Sequence, residues 1–299
     1  MLPTRQGSFR LFRVLGIDVF LHWSWFLVAA YMVTQRQREY SSFFWNILEY
    51  VSLFGIVLAH EFGHALACRQ VGGQADQIIL WPLGGVAYVA PPQRPGAMLW
   101  SIAAGPFVNV ALAPVLTVWV FLAPTLGWKD SHPDVSHFLV AICSINWGLL
   151  IFNLLPIFPL DGGQILRSLL WFPLGRARSL LIASLLGFPF AGLLLLLAIF
   201  WVRDLWLGVI CVFILVNCWR GLTQARLLGK LAKIPRRFGY ACPDCHSAPI
   251  LGAAWRCARC QQAFDIFASS AVCPHCGAAY PVTQCLDCGG SHPLIKWES

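Results

Sequence analysis

The sequence predicts an all-α polytopic membrane protein of about six transmembrane helices with a small membrane-associated β-hairpin, followed by a small cysteine-rich β domain. Three observations carry this expectation. Hydrophobic residues make up 58% of the 299 and charged residues only 11%, with mean hydropathy +0.66, far from the composition of a soluble domain. Uncharged runs recur at 19–35, 50–60 (extending through a polar motif to 68), 95–128, 135–160, 179–202 and 205–219, and a spanning helix needs about 20 apolar residues. After Arg237 the composition changes, and eight of the 12 cysteines fall in four Cys-x-x-Cys pairs. The expected division is a membrane domain over 1–220, a basic linker over 221–240 and a tail over 241–299.

The chain opens on a segment, Met1 to Arg13, with three arginines and no signal-peptide anatomy, so the run at 19–35 is read as a retained first anchor. Charge bias sets the expected orientation. With the N-terminus inside, fourteen Arg and Lys before residue 240 lie on the cytoplasmic side, and only Arg36, Arg38, Lys129 and Arg203 lie opposite. The net charge of +8 then reflects topology and anionic-lipid contact, and nucleic acid is not an expected partner.

The second run carries Ala59-His60-Glu61-Phe62-Gly63-His64-Ala65, an H-E-x-x-H pattern. On a helix, histidines at i and i+4 share a face and can both reach one zinc, with the intervening Glu close enough to act as base on its water. Burying these groups among Leu, Val and Ile is costly unless they pair or bind metal. Residues 71–89, β-branched around Gly-Gly and Pro, suggest a short hairpin against the membrane, read equally as an apolar cytoplasmic loop or as a sheet edge that pairs with an extended substrate segment. The third run holds Gly105-Pro106 and Asn109, an amide inside the bundle; by itself, Asn109 reads first as a helix–helix hydrogen-bonding residue.

The fourth run ends in Phe152-Asn153-Leu154-Leu155-Pro156-Ile157-Phe158-Pro159-Leu160-Asp161-Gly162-Gly163. From the motif helix the chain crosses twice before reaching Asp161, so both lie at one face whichever way the protein is oriented. Asp161 is then the third ligand, leaving a tetrahedral position for water. The fifth and sixth runs offer no polar chemistry, and Cys211, Asn217 and Cys218 read as packing residues.

The set HEFGH, the LGG-containing loop, GPFVN and NLLPIFPLDGG, in that order, resembles the site-2 proteases, the intramembrane zinc metalloproteases, over about residues 10 to 220. The likeness is to their compact six-crossing members. It implies zinc held by His60, His64 and Asp161, Glu61 as general base, and cleavage of a membrane-spanning substrate near the cytoplasmic face in regulated intramembrane proteolysis. It also implies substrate or transition-state contacts for Asn109 and Asn153; with the charge bias, which puts both termini in the cytoplasm, the expected location is a bacterial inner membrane. The PDZ-like insertion and CBS pair common in relatives are absent from the sequence. Two rival readings are an inactive membrane adaptor working through its tail and a zinc transporter or sensor. The intact ligand set with Glu61 argues against the first, and the clustering of ligands at one face against the second.

In the tail, Cys242/Cys245, Cys257/Cys260, Cys273/Cys276 and Cys285/Cys288 each form a two-residue grip for metal. The segment resembles tandem zinc ribbons, and sequential pairing puts the first four cysteines on one zinc and the last four on another. Disulfides are the competing reading, disfavoured on a cytoplasmic tail. Residues 241–299 hold Arg256, Arg259 and Lys296 against Asp244, Asp265, Asp287 and Glu298, with no basic stripe for phosphate. A cytoplasmic protein partner is the expectation.

Overall fold

The computed structural model describes residues 7–27, 29, 40–81, 84–202 and 205–297, divided into two compact units, 1–223 and 224–299. Among the described residues, five helices are long and apolar enough to cross a membrane: α1 (Phe43–Gln70), α2 (Pro95–Thr125), α3 (Pro133–Leu154), α4 (Asp161–Leu197) and α5 (Leu205–Leu231). Helices α2 and α3 both open on proline, whose fixed φ and missing N–H suit a first helical position. The anchor expected at 19–35 begins inside a β-strand, and its residues 28 and 30–35 lie outside those described.

Small residues let α1 and α2 approach. A Cβ on Gly63 would sit 2.6 Å from the Ala104 carbonyl oxygen, so only glycine permits this crossing. The same approach brings the His-containing turn of α1 against α2.

Helix α4 differs from expectation. It starts at Asp161 rather than near 179 and bends at Gly175 (φ 77, ψ 170). Arg167, Pro173, Arg176 and Arg178 interrupt the apolar run around Gly175, where two helical segments meet at a kink, and the second segment carries the run expected from 179. Helix α5 likewise runs past 219 to Leu231, through the first half of the segment expected to be a linker.

The hairpin expected over 71–89 is β3 (Gln74–Trp81) and β4 (Gly84–Ala90), and it belongs to a larger sheet. Strands β1 (Ser8–Val14) and β2 (Ile17–His22) complete the order β1-β2-β3-β4, with β2 parallel to β3 and the other pairs antiparallel. The β1–β2 connection is a two-residue turn with positive φ at both Leu15 (50°) and Gly16 (75°). Ile17, Val19, Ile78 and Leu80 bury one face of the sheet against Val57, Ala65 and Cys68 of α1. The sheet therefore rests on the motif helix, with β4 as its edge.

The second unit contains two short hairpins, β5 (Trp255–Arg256) with β6 (Ala263–Phe264) and β7 (Thr283–Gln284) with β8 (Ser291–His292). Each Cys-x-x-Cys makes the same tight turn: the first cysteine's N–H donates to a carbonyl five residues on, and its own carbonyl accepts from the residue after the second cysteine. That last residue has positive φ in all four turns, at His246, Gln261, Gly277 and Gly289. Phe264, Phe267 and Trp297 fill the space between the turns, and Ala241 N–H donates to the Trp297 carbonyl, joining the two ends of the tail.

Candidate active site and metal centres

His60, Glu61 and His64 are all buried on the last turns of α1. Neighbouring groups fix the tautomer of each imidazole. The Asn109 amide nitrogen donates to Asn146 Oδ1 (2.9 Å), turning Asn109 Oδ1 toward His60 Nδ1 at 2.6 Å. An amide oxygen can only accept, so His60 Nδ1 carries the proton. His64 Nδ1 likewise donates to the Ser101 carbonyl at 2.9 Å. Both Nε2 lone pairs are left free, and they face each other at 3.1 Å.

Asp161 completes the group. Its Oδ2 lies 3.0 Å from His60 Nε2 and 3.4 Å from His64 Nε2. The Asp is brought there by close packing at the start of α4, where a Cβ on Gly162 would meet the Leu154 carbonyl oxygen at 2.3 Å and one on Gly163 the Ile157 carbonyl carbon at 2.4 Å. Three acceptors thus converge with no proton between the imidazoles. A tetrahedral zinc with ligands at about 2.0–2.1 Å has ligand–ligand edges of about 3.3 Å, so the donor set and spacing fit that ion.

Glu61 approaches from the sheet side. Its Oε2 accepts the Ala87 N–H of β4 at 2.9 Å. A side chain at Gly85 would collide with it, since a Cβ there would lie 2.3 Å from Glu61 Cγ. A Cβ on Gly105 would lie 2.2 Å from His64 Nε2. Each of these glycines leaves room for one functional side chain.

A cavity of about 830 Å³ opens onto the group, walled by Val57, Gly85, Ala87, Val89, Ile102, Leu149 and Phe152 among others. Asn153 lines it. Asn109, fully buried, stands behind His60 and is held by Asn146, whose Nδ2 donates to the Asn109 carbonyl at 3.0 Å. The sequence points to Gly85 through its Gly-Gly loop, but not to Asn146, Ser101 or Ala87. Asn146 carried a signal, an amide in an apolar run, whereas the Ser101 and Ala87 contributions are backbone groups that any residue supplies.

The tail cysteines form two groups, and the pairing is nested rather than sequential. Cys242, Cys245, Cys285 and Cys288 make one, and Cys257, Cys260, Cys273 and Cys276 the other. The correction follows from the closure of the tail on itself: the Ala241–Trp297 bond and the common aromatic core bring the outer turns together around the inner ones. Sγ–Sγ distances of 3.6 and 3.8 Å in the outer group and 3.5 and 3.7 Å in the inner one far exceed a disulfide at about 2.05 Å. They match the edge of about 3.8 Å expected for four thiolates around zinc at about 2.3 Å.

A family model described as Peptidase family M50 matches residues 49–129 and 127–199, a span that contains all three converging acceptors and Glu61. The chain belongs to peptidase family M50. A zinc metalloprotease of Methanocaldococcus jannaschii is 32% identical over 189 residues, 63% of this chain and 53% of that protein. The solved site-2 protease from Methanocaldococcus jannaschii matches with a TM-score of 0.52 and 27% identity, covering 72% of this chain and 95% of that one. This M50 chain spans about half the length of the curated relative it matches. The likeness to site-2 proteases read from its motifs holds, and the long apolar helices among its described residues make it a multi-pass membrane protein.

Proposed function

We propose that this protein is a zinc-dependent intramembrane endopeptidase that cleaves a membrane-spanning substrate near the cytoplasmic face. One observation carries the reading: two imidazole lone pairs and a carboxylate oxygen converge within 3.0–3.4 Å beside the glutamate of an H-E-x-x-H turn. His60, His64 and Asp161 hold the ion. Zinc bound there supplies Lewis acidity toward a water and a peptide carbonyl.

The remaining work belongs to side chains and backbone. Glu61 takes the proton of the attacking water and delivers it to the leaving amine. The Ala87 N–H keeps its carboxylate aimed, and Asn109 acts as a positioning residue by holding His60 in the tautomer that presents Nε2. Asn153, in the cavity wall, is a donor for the substrate backbone. A helical substrate hides its carbonyls in internal hydrogen bonds, and the unpaired edge of β4 offers backbone partners to a segment that has unwound beside Glu61.

The tail over 241–299 folds around two further zinc ions, one in each four-cysteine group, and binds a cytoplasmic protein partner. Small segments of this kind draw most of their folding energy from metal. The test of the reading is reconstitution in proteoliposomes with a panel of single-spanning test proteins carrying helix-breaking residues. Cleavage within or beside the spanning segment, abolished by a membrane-permeant zinc chelator, is expected. Chelator-insensitive cleavage, or none across the panel, contradicts it.

A further inference from the structure

Cationic side chains also line the active-site cavity. Arg167 of α4 and Arg220 of α5 line the same cavity as Glu61 and the converging acceptors, together with Gln164 and Asn217. Both carboxylates that line this cavity are engaged elsewhere: Glu61 accepts from Ala87, and Asp161 faces the two imidazoles. Among the described residues no carboxylate pairs with Arg167 or Arg220. Arg167 Nε is buried with no hydrogen-bond partner, and its guanidinium packs 5.9 Å from the centre of the Trp171 ring. The neighbouring amides also donate to the main chain, Gln164 Nε2 to the Pro159 carbonyl and Asn217 Nδ2 to the Phe213 carbonyl, which leaves each nitrogen one further hydrogen.

Arg220 is exposed, whereas Arg167 is half-buried with an unpartnered Nε and no carboxylate beside it, and a guanidinium so placed pairs favourably with an anion from outside. We propose that Arg167 and Arg220 form a specificity subsite for an acidic side chain of the substrate, a role that rests on the peptidase reading of the same cavity. The spacing favours a peptide. Six residues of helix separate Asp161 from Arg167, about 9 Å along the axis, and an extended chain advances about 3.3 Å per residue. On that axial rise alone, an acidic side chain within a few residues of the scissile bond comes level with Arg167. A lipid phosphate would satisfy the same charge, but these groups open into the substrate cavity, and Arg167 is half-buried there beside Trp171.

The experiment uses full-length protein in liposomes and a set of spanning peptides in which a single Asp, Asn or Lys is moved residue by residue through the cytoplasmic half. Cleavage sites are read by mass spectrometry. Wild-type protein is expected to cleave the Asp peptide with a kcat/KM about tenfold to a hundredfold above the Asn peptide at one position, the range of a hydrogen bond to a charged group. In Arg167→Gln and Arg220→Gln that ratio falls toward one, and in Arg167→Glu the Lys peptide becomes the preferred one. Zinc content equal to wild type identifies variants that have folded.

A second arm measures binding of the same peptides to Glu61→Gln protein, where the Asp peptide should bind more tightly by a similar factor, an advantage that Arg167→Gln removes. This arm reads the subsite even if the wild type cleaves nothing, a result that by itself counts against the peptidase reading. Equal treatment of Asp, Asn and Lys at every position overturns the subsite, as does a rate that tracks the anionic lipid content of the liposome and not the peptide charge.

Discussion

His60 Nδ1 and Asn109 Oδ1 lie 2.6 Å apart in the centre of the bundle, and this one bond decides which imidazole nitrogen is presented to the converging group. Replacing Asn109 by Leu removes the acceptor and frees His60 to turn. Partners of this kind contribute about 10- to 100-fold to metal affinity or activity. In a chelator titration of the full chain, one of its zinc ions should be released at correspondingly lower chelator concentration than in wild type, while the tail sites are unaffected. Release at wild-type concentrations would show that Asn109 has no hold on the site.

Gly85 tests the contact between β4 and Glu61. In Gly85→Ala the new Cβ would lie 2.3 Å from Glu61 Cγ, so strand or carboxylate must shift. A displacement near 1 Å in a reacting group costs about 100-fold. Activity should fall on that scale with zinc content unchanged, whereas Gly148→Ala, with open space around it, should be active. Similar rates for both variants contradict the contact's role.

Nested pairing in the tail separates cleanly from sequential pairing by metal counting. A protein with both Cys242→Ala and Cys288→Ala damages only the outer group if pairing is nested, and so loses one tail zinc relative to wild type. Sequential pairing places these cysteines on different ions, and the same double variant then loses two.

Asp265 sets a pH expectation for the tail. Burial pushes its carboxyl up, but N–H donation from Ala268 and Gly252 and the Arg237 guanidinium at 2.6 Å outweigh this and hold it below the usual 3.8. A carboxyl depressed by folding stabilises fully above its unfolded value and loses that contribution only as pH falls through the folded one. Asp265→Asn should therefore lower the melting temperature of the tail by the same amount at pH 7 and pH 5.5. The acid sensitivity shared by both proteins across that window then belongs to zinc release from the cysteines. A difference that vanishes by pH 5.5 contradicts this account.

The site was more legible in the sequence than the fold that carries it. His60, Glu61, His64 and Asp161 stand out because ionisable residues in apolar runs are conspicuous, and counting crossings was enough to bring Asp161 to the motif's side. The β1–β2 hairpin was missed because its turn is Leu15-Gly16 rather than Asn-Gly or Asp-Gly, and because the run from 19 was read as a membrane anchor. The early start of α4 was hidden by its arginines and by Gly175. The four knuckles were recognised individually, but their nesting depends on Trp297 and Phe267 meeting across the tail, a long-range contact that cysteine spacing does not encode.

The central claim is that His60, His64 and Asp161 hold a zinc ion beside a base, Glu61. Its most direct test is to count zinc and measure cleavage of a reconstituted spanning substrate in the same preparations of wild type, Asp161→Ala and Glu61→Gln. The account predicts three zinc ions and cleavage in wild type, two and no cleavage in Asp161→Ala, and three with a rate reduced by at least about 100-fold in Glu61→Gln. Wild-type cleavage by Glu61→Gln, or an unchanged zinc count in Asp161→Ala, would contradict it.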